Sequence, residues 1–227
     1  MIITVGSIKG GVGKSMIAVN LTVIRALNKK NILLIDADEQ GTTGDWTDHR
    51  INLGINTPWT TIRLKGSAVR SEVKKMEGHY DDIIIDCGGR DTASLRAALT
   101  ISNIFVVPFQ PKSFDIWTAT KVSELIDEAK TINDKLICYA FINCASPRGS
   151  DNDDAKNIIS KTTNLSLLPA TVGLRKVFSN ATAEGMGVTE MRTDSKAISE
   201  IHALHDAIFD ANITTSFMRQ KNINTLS

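Results

Sequence analysis

The sequence predicts an α/β fold, a doubly wound, mostly parallel sheet with helices on both faces. Three observations predict it. Short apolar runs alternate with longer segments of helical spacing from Met1 to about Phe209, as strands alternate with crossover helices. Two of the runs, Ile32-Leu33-Leu34-Ile35 and Ile83-Ile84-Ile85, end in Asp36 and Asp86. Carboxylates at the C-terminal ends of parallel strands sit on the ligand-binding edge of such a sheet. A glycine-rich stretch, Lys9-Gly10-Gly11-Val12-Gly13-Lys14-Ser15, separates the first run from the first helical segment.

Length and composition bound the reading. The 227 residues suit a single domain over 1–227 with a sizeable core. Lys plus Arg number 26 against 25 Asp plus Glu, so any nucleic-acid or membrane partner has to be argued from local clusters. Cys87, Cys138 and Cys144 are too few and too scattered for a disulfide framework or a metal knuckle, and a reducing cytoplasm is the expected setting. The glycine-rich stretch starts by residue 9, which leaves no room for a signal peptide. No apolar run reaches the ~18 residues of a membrane span.

Taken in order, Met1 to Val5 reads as a strand and Met16 onward as a helix ending near Asn28-Lys29-Lys30. Strand, glycine-rich turn and helix form the context of a phosphate-binding loop. The glycines let consecutive N–H groups converge on phosphate oxygens, and the helix start adds unpaired donors. Lys14 is expected to reach the β- and γ-phosphates, and the Ser15 hydroxyl to ligate Mg²⁺. Ile8 stands where the ordinary phosphate-loop pattern has glycine, and a second lysine, Lys9, precedes the glycines.

The strand Asn31–Ile35 runs into Asp36-Ala37-Asp38-Glu39-Gln40-Gly41, where the two aspartates at i, i+2 point the same way. A helix over Thr42–Ile51, a weak edge strand over Thr60–Leu64 and a helix over Ser67–Met76 follow. Tyr80–Asp86 is a strand whose terminal Asp86 has the place of a carboxylate in the Mg²⁺ shell. Cys87-Gly88-Gly89-Arg90-Asp91 is then expected to sense the γ-phosphate, with Asp91 or Thr92 capping a helix over Thr92–Thr100. Further elements are a strand over Asn103–Pro108, a helix over Ser113–Thr131 and a strand over Lys135–Asn143. After a loop over Ala145–Asp154, Asp153 or Asp154 caps another helix, and the last strand covers Leu165–Pro169. A helix over Lys196–Phe209 presents Ile198, Ile201, His205, Ile208 and Phe209 on one side, and 213–227 is expected to be a flexible tail.

Three motifs in this order, Lys9-Gly10-Gly11-Val12-Gly13-Lys14-Ser15, Asp36-Ala37-Asp38-Glu39-Gln40 and the strand ending in Asp86, resemble those of the ParA/MinD family of deviant Walker-A ATPases. The chain is most similar to the small partition ATPases without an N-terminal DNA-binding domain. It departs from the family at Glu39, where proline is usual, and in the Cys87–Arg90 loop.

The resemblance implies ATP and Mg²⁺ as ligands, with Lys9 to Met16 around the phosphates and Ser15, Asp36 and Asp86 serving the metal. It implies slow ATP hydrolysis with Asp38 orienting the water. Lys9 is expected to cross to the partner's phosphates in an ATP-dependent homodimer. By the same resemblance Asn143 and Pro169 contact the adenine. Arg175, Lys176, Arg192 and Lys196 are candidate contacts to non-specific DNA, with Arg219 and Lys221 further on. The implied function is DNA partition by a nucleoid-associated dimer released by a small centromere-binding or adaptor protein. Positioning of another cargo, such as a protein microcompartment or chemoreceptor cluster, is the alternative. A MinD-like membrane positioner is disfavoured, because residues 206–219 hold Asp206 and Asp210 against Arg219 alone. A small-molecule enzyme on the same fold would as a rule lack Lys9.

Overall fold

The computed structural model describes residues 1–224 except 91, 112–115 and 149, and the side chains of these save 116–117 and 210–224. Seven strands form one sheet in the order β3-β2-β4-β1-β5-β6-β7. They are β1 (Ile2–Val5), β2 (Ile32–Asp36), β3 (Thr60–Arg63), β4 (Asp82–Asp86), β5 (Ile104–Phe109), β6 (Ile137–Ala145) and β7 (Ser166–Gly173). Every pairing is parallel.

The helices are α1 (Lys14–Leu27), α2 (Thr42–Asn52), α3 (Ala68–Met76), α4 (Ala93–Leu99), α5 (Ile116–Lys130), α6 (Asp151–Ser160), α7 (Lys176–Ala183), α8 (Val188–Met191) and α9 (Ser195–Asn224). The alternation of side chains along each strand divides the core into two layers. Ile2, Leu33, Ile35, Ile83 and Ile85 pack with α3 to α6 on one face. Ile3, Val5, Ile32, Leu34 and Ile84 pack with α1, α2 and α7 to α9 on the other. Strands buried on both sides must be apolar throughout, and so β1, β2, β4 and β5 stand out in the sequence.

The chain leaves β1 towards β2 and leaves β4 towards β5, on opposite sides of the sheet. Such a reversal opens a crevice at the C-terminal ends of the central strands. The β2–β4 register sets Asp36 beside Asp86 at that edge.

Most expected elements appear near their expected limits, and the differences have local causes. The last strand continues past Pro169 to Gly173. β7 is an edge strand with a register irregularity beside β6, where the missing N–H of proline is tolerated. Helix α6 begins at Asp151, so Asp153 and Asp154 lie in its first turn instead of capping it. Thr92 caps α4 by accepting the Leu95 N–H at 3.2 Å; Asp91, the other candidate, lies outside the described residues, as do the first residues of the helix expected from Ser113. The backbone of α9 is helical to Asn224, beyond the Lys196–Phe209 helix expected, while 225–227 lie outside the described residues.

Arg50 is a buried cation that ties α2 to the α7–α8 connection. Its guanidinium donates to both oxygens of Glu190 at 2.7 Å and to the carbonyls of Asn56 and Gly185. It also faces the ring of Trp59, which stacks on Trp46 with centroids 5.9 Å apart. Removing one member of such a pair leaves a charge out of water without its counterion. Glu190→Ala should therefore lower the free energy of unfolding by about 2 kcal/mol, since two carbonyls remain to Arg50. Urea denaturation checks this; an unchanged midpoint would show that the pair contributes nothing.

Candidate nucleotide-binding site

The glycine-rich loop crosses the C-terminal edge of the sheet and delivers the chain into α1. Gly11 and Gly13 adopt φ of 73° and 87°, the left-handed region that favours glycine. A Cβ on Gly13 would also come within 2.3 Å of the Asn143 amide nitrogen. With Gly13 at its N-cap, α1 has no side-chain cap, so its first N–H groups remain available to an anion.

Three side chains hold the carbonyls of this loop. Lys14 Nζ donates to the Lys9 carbonyl at 3.3 Å, Gln110 Nε2 to that of Gly11 at 2.7 Å, and Asn143 Nδ2 to that of Val12 at 2.7 Å. Gln110 follows β5, and its role was not legible in the sequence. Asn143 is fully buried behind the loop, and its Oδ1 has no hydrogen-bond partner. In this structure Asn143 holds the loop.

The two aspartates at the strand ends differ in what satisfies them. Asp36 Oδ2 accepts the Gly44 N–H at 2.7 Å, and Oδ1 accepts the Asp38 N–H at 3.1 Å. Asp36 therefore fastens the β2–α2 turn. Asp86 is fully buried, and neither carboxylate oxygen has a hydrogen-bond partner. Burial pushes its carboxyl up to about 7, with Asp36 and Asp38 adding to the rise; the nearby Ser15 hydroxyl and Lys14 pull the other way without satisfying it. Lys14 is itself pulled below the ordinary lysine range by burial, an effect opposed by Asp86 and Asp38.

A buried, unsatisfied carboxylate beside a hydroxyl is a pair of oxygen donors that suits a hard divalent cation. Ser15 and Asp86 therefore fit Mg²⁺, and the loop with the bare start of α1 fits the phosphates that would accompany it.

Asp38 lies across the cleft, where its Oδ1 accepts the Gln40 N–H at 3.1 Å. The Gly88–Gly89 backbone closes that side. A Cβ on Gly88 would meet Asp38 Oδ1 at 2.9 Å, and one on Gly89 would meet Gly10 Cα at 2.6 Å. Together with Met16, Arg90 and Thr92 these elements enclose about 510 Å³, within the range of small-molecule sites. A cavity of equal volume beside Trp59 and Arg63 has no glycine-rich loop and no open helix start. Chemistry, not volume, singles out the first. Cys87 is fully buried, and burial raises its thiol well above the usual range, so it packs and does not react.

Pro169 lies in β7, four residues before its end, and is exposed. The Ala181–Val188 segment packs on α1 and α2. There Val188 N–H donates to Asn20 Oδ1 at 2.8 Å, and Gly185 lies against Arg50. Arg175 is held by both oxygens of Glu200 at 2.7 and 2.9 Å, with Asp194 at 3.9 Å. That pairing engages its partly exposed guanidinium within the protein. Lys176, Arg192 and Lys196 are exposed near it. Arg219 and Lys221 lie among residues whose side chains are not described.

With loop, metal residues and cleft in place, the comparison with known proteins is specific. Residues 3–201 match the CobQ/CobB/MinD/ParA nucleotide binding domain, and the chain belongs to that family. It is 24% identical over 199 residues to the "Maintenance of carboxysome distribution protein A" of Halothiobacillus neapolitanus, covering 87% of this chain and 91% of that one. Among solved structures it is similar to a Cyanothece McdA variant in complex with ATP, with TM-score 0.76, 13% identity and coverage of 92% and 96%. It is also similar to a Borrelia burgdorferi B31 protein described as a putative plasmid partition protein bound to AMPPNP, with TM-score 0.75, 18% identity and coverage of 92% and 98%. The doubly wound P-loop fold expected from the sequence is thereby established.

The state of Asp86 yields a signed prediction. Its folded carboxyl titrates near 7 and an ordinary one near 3.8, so the folded protein holds the extra proton between these values and loses stability as pH rises through them. Asp86→Asn should leave the nucleotide-free protein equally stable at pH 4 and progressively more stable than the parent up to pH 8. Thermal unfolding of both across this range decides; a constant difference would contradict the assignment.

Proposed function

We propose that this chain is a ParA-type positioning ATPase that hydrolyses ATP to ADP and phosphate and alternates between a free protomer and an ATP-bound homodimer. The observation that carries this reading is the second lysine, Lys9, directly before a phosphate loop that lines one cleft with Asp38 and whose Lys14 and Ser15 lie near Asp86.

Lys14 leaves the Lys9 carbonyl to bind the β- and γ-phosphates, exchanging one acceptor for a stronger, charged one. Mg²⁺ held by Ser15 and Asp86 would neutralise phosphate charge. Asp38, at the mouth of the cleft, is placed to orient the attacking water. Lys9 of each protomer reaches the phosphates of the other, so ATP joins the dimer and hydrolysis releases it. The state is set by contacts that only the γ-phosphate offers.

Sedimentation with ATP and with ADP tests the cycle: a dimer is expected with ATP alone, and a monomer in both would refute it. Lys14→Ala should weaken ATP binding about 10- to 100-fold. Lys9→Ala should bind ATP and remain monomeric. Asp38→Ala should accumulate the ATP dimer, with hydrolysis slowed about 10²- to 10⁴-fold.

The cargo is the finer question. DNA partition, with a centromere-binding partner stimulating hydrolysis, and positioning of a protein cargo share this nucleotide cycle. Full-length similarity to a carboxysome distribution protein favours the second reading as much as the motifs favour the first. Either way duplex DNA serves as the track. The ATP form should bind duplexes of any sequence through Lys176, Arg192 and Lys196, doubled in number on pairing. The logarithm of affinity should fall against the logarithm of salt by roughly 0.9 per phosphate contacted. Neutralising the three should flatten that slope and leave dimerisation intact. Equal, negligible binding with ATP and ADP would rule out DNA as the track. No helix among the described residues is long and apolar enough to cross a membrane.

A further inference from the structure

Arg90 belongs to the loop expected to sense the γ-phosphate, but its side chain has been given no role of its own. The loop that carries it lies against both walls of the cleft, as the close approaches of Gly88 to Asp38 and of Gly89 to Gly10 show. Two consecutive residues without side chains let the backbone come that near, and Arg90 is the first side chain after them. It is exposed, and it lines the cleft together with Lys14, Ser15 and Asp38. Among the described residues lining the cleft, Lys14 and Arg90 are the two with basic side chains.

We propose that Arg90 is a catalytic residue supplied in cis, whose guanidinium contacts the γ-phosphate of bound ATP and stabilises the charge that builds on it during transfer to water. The inference rests on the ATPase reading above. In the step, the water oxygen bonds to the γ-phosphorus as the bond from that phosphorus to the β–γ bridging oxygen breaks. The electron pair stays on the ADP oxygen, and one water proton is released. The equatorial γ-oxygens carry most of the developing charge. A planar, permanently charged fork meets two of them at once, which a lysine ammonium cannot do. Lys14 lies at the start of α1, beneath the phosphates. Arg90 lines the same cleft as Asp38, on the loop whose Gly88 approaches that carboxylate.

A second feature bears on control. Arg90 also lines a shallow cavity of about 400 Å³ with Ile8, Arg96, Lys121, Glu124 and Glu128. Arg96 there is paired with Glu128 across α4 and α5. Arg90 thus lines both an outer cavity and the cleft. The competing assignment is that Arg90 only receives a partner from the outer side.

Arg90→Ala, Arg90→Lys and the parent, all as full chains, separate the two. Single-turnover hydrolysis of Mg-ATP, nucleotide affinity, and the affinity for ADP in the presence of aluminium fluoride are the readouts. Arg90→Ala should slow hydrolysis by at least about tenfold while keeping ATP affinity within about threefold of the parent. Aluminium fluoride should tighten ADP in the parent and not in Arg90→Ala, and Arg90→Lys should recover part of the rate. Hydrolysis by Arg90→Ala at the parental rate would overturn the inference and leave the ATPase reading standing. A loss of ATP affinity that accounts for the whole loss of rate would also overturn it. A parent that hydrolyses no ATP would overturn both.

Discussion

Everything at the cleft depends on one electrostatic imbalance. The β2–β4 register sets Asp36 and Asp86 side by side in a part of the molecule from which water is excluded. Asp36 is satisfied by two backbone N–H groups, whereas Asp86 is left with none. A buried carboxylate without partners costs free energy that the rest of the fold must offset. The surroundings relieve it only in part, since Ser15 and Lys14 act against the burial and the neighbouring aspartates. A charge left unsatisfied in this way is a standing preference for a cation. It converts the sheet edge from a structural feature into a binding site.

The phosphate loop is held ready above that charge. Its carbonyls are held by Lys14, Gln110 and Asn143, which start α1, follow β5 and lie in β6. Tethers on the carbonyl side leave the N–H side to the ligand, as an anion cradle requires. The Asn143 contact also explains why position 13 admits glycine alone, because a side chain there would occupy the space of the amide. The Lys14 tether differs from the others, since phosphate competes for the same ammonium. Binding therefore exchanges an internal contact for an external one, and the loop need not be rebuilt.

Much of this was legible in the sequence, for physical reasons. Strands buried on both faces leave wholly apolar runs, and the phosphate loop needs glycines at positions fixed by its own turn. The two carboxylates were visible because they end such runs. What could not be read depended on contacts distant in the chain. Arg175 looked like a surface cation until the fold set Glu200 against it. The contact of Asn143 with the Val12 carbonyl joins residues 131 apart in the chain, so no local pattern announces it. Pro169 looked like a strand end, because only the edge position of β7 lets the strand continue to Gly173. The short helices α7 and α8 span eight and four residues, too few for periodicity to declare itself.

Asp86 is proposed as a ligand of the Mg²⁺ that accompanies the nucleotide. Calorimetric titration of ATP into the parent and into Asp86→Asn, each with and without Mg²⁺, tests it most directly. The account predicts that Mg²⁺ tightens ATP binding to the parent by at least tenfold, about 1.4 kcal/mol, and leaves the affinity of Asp86→Asn unchanged. Equal tightening of both proteins by Mg²⁺ would contradict it.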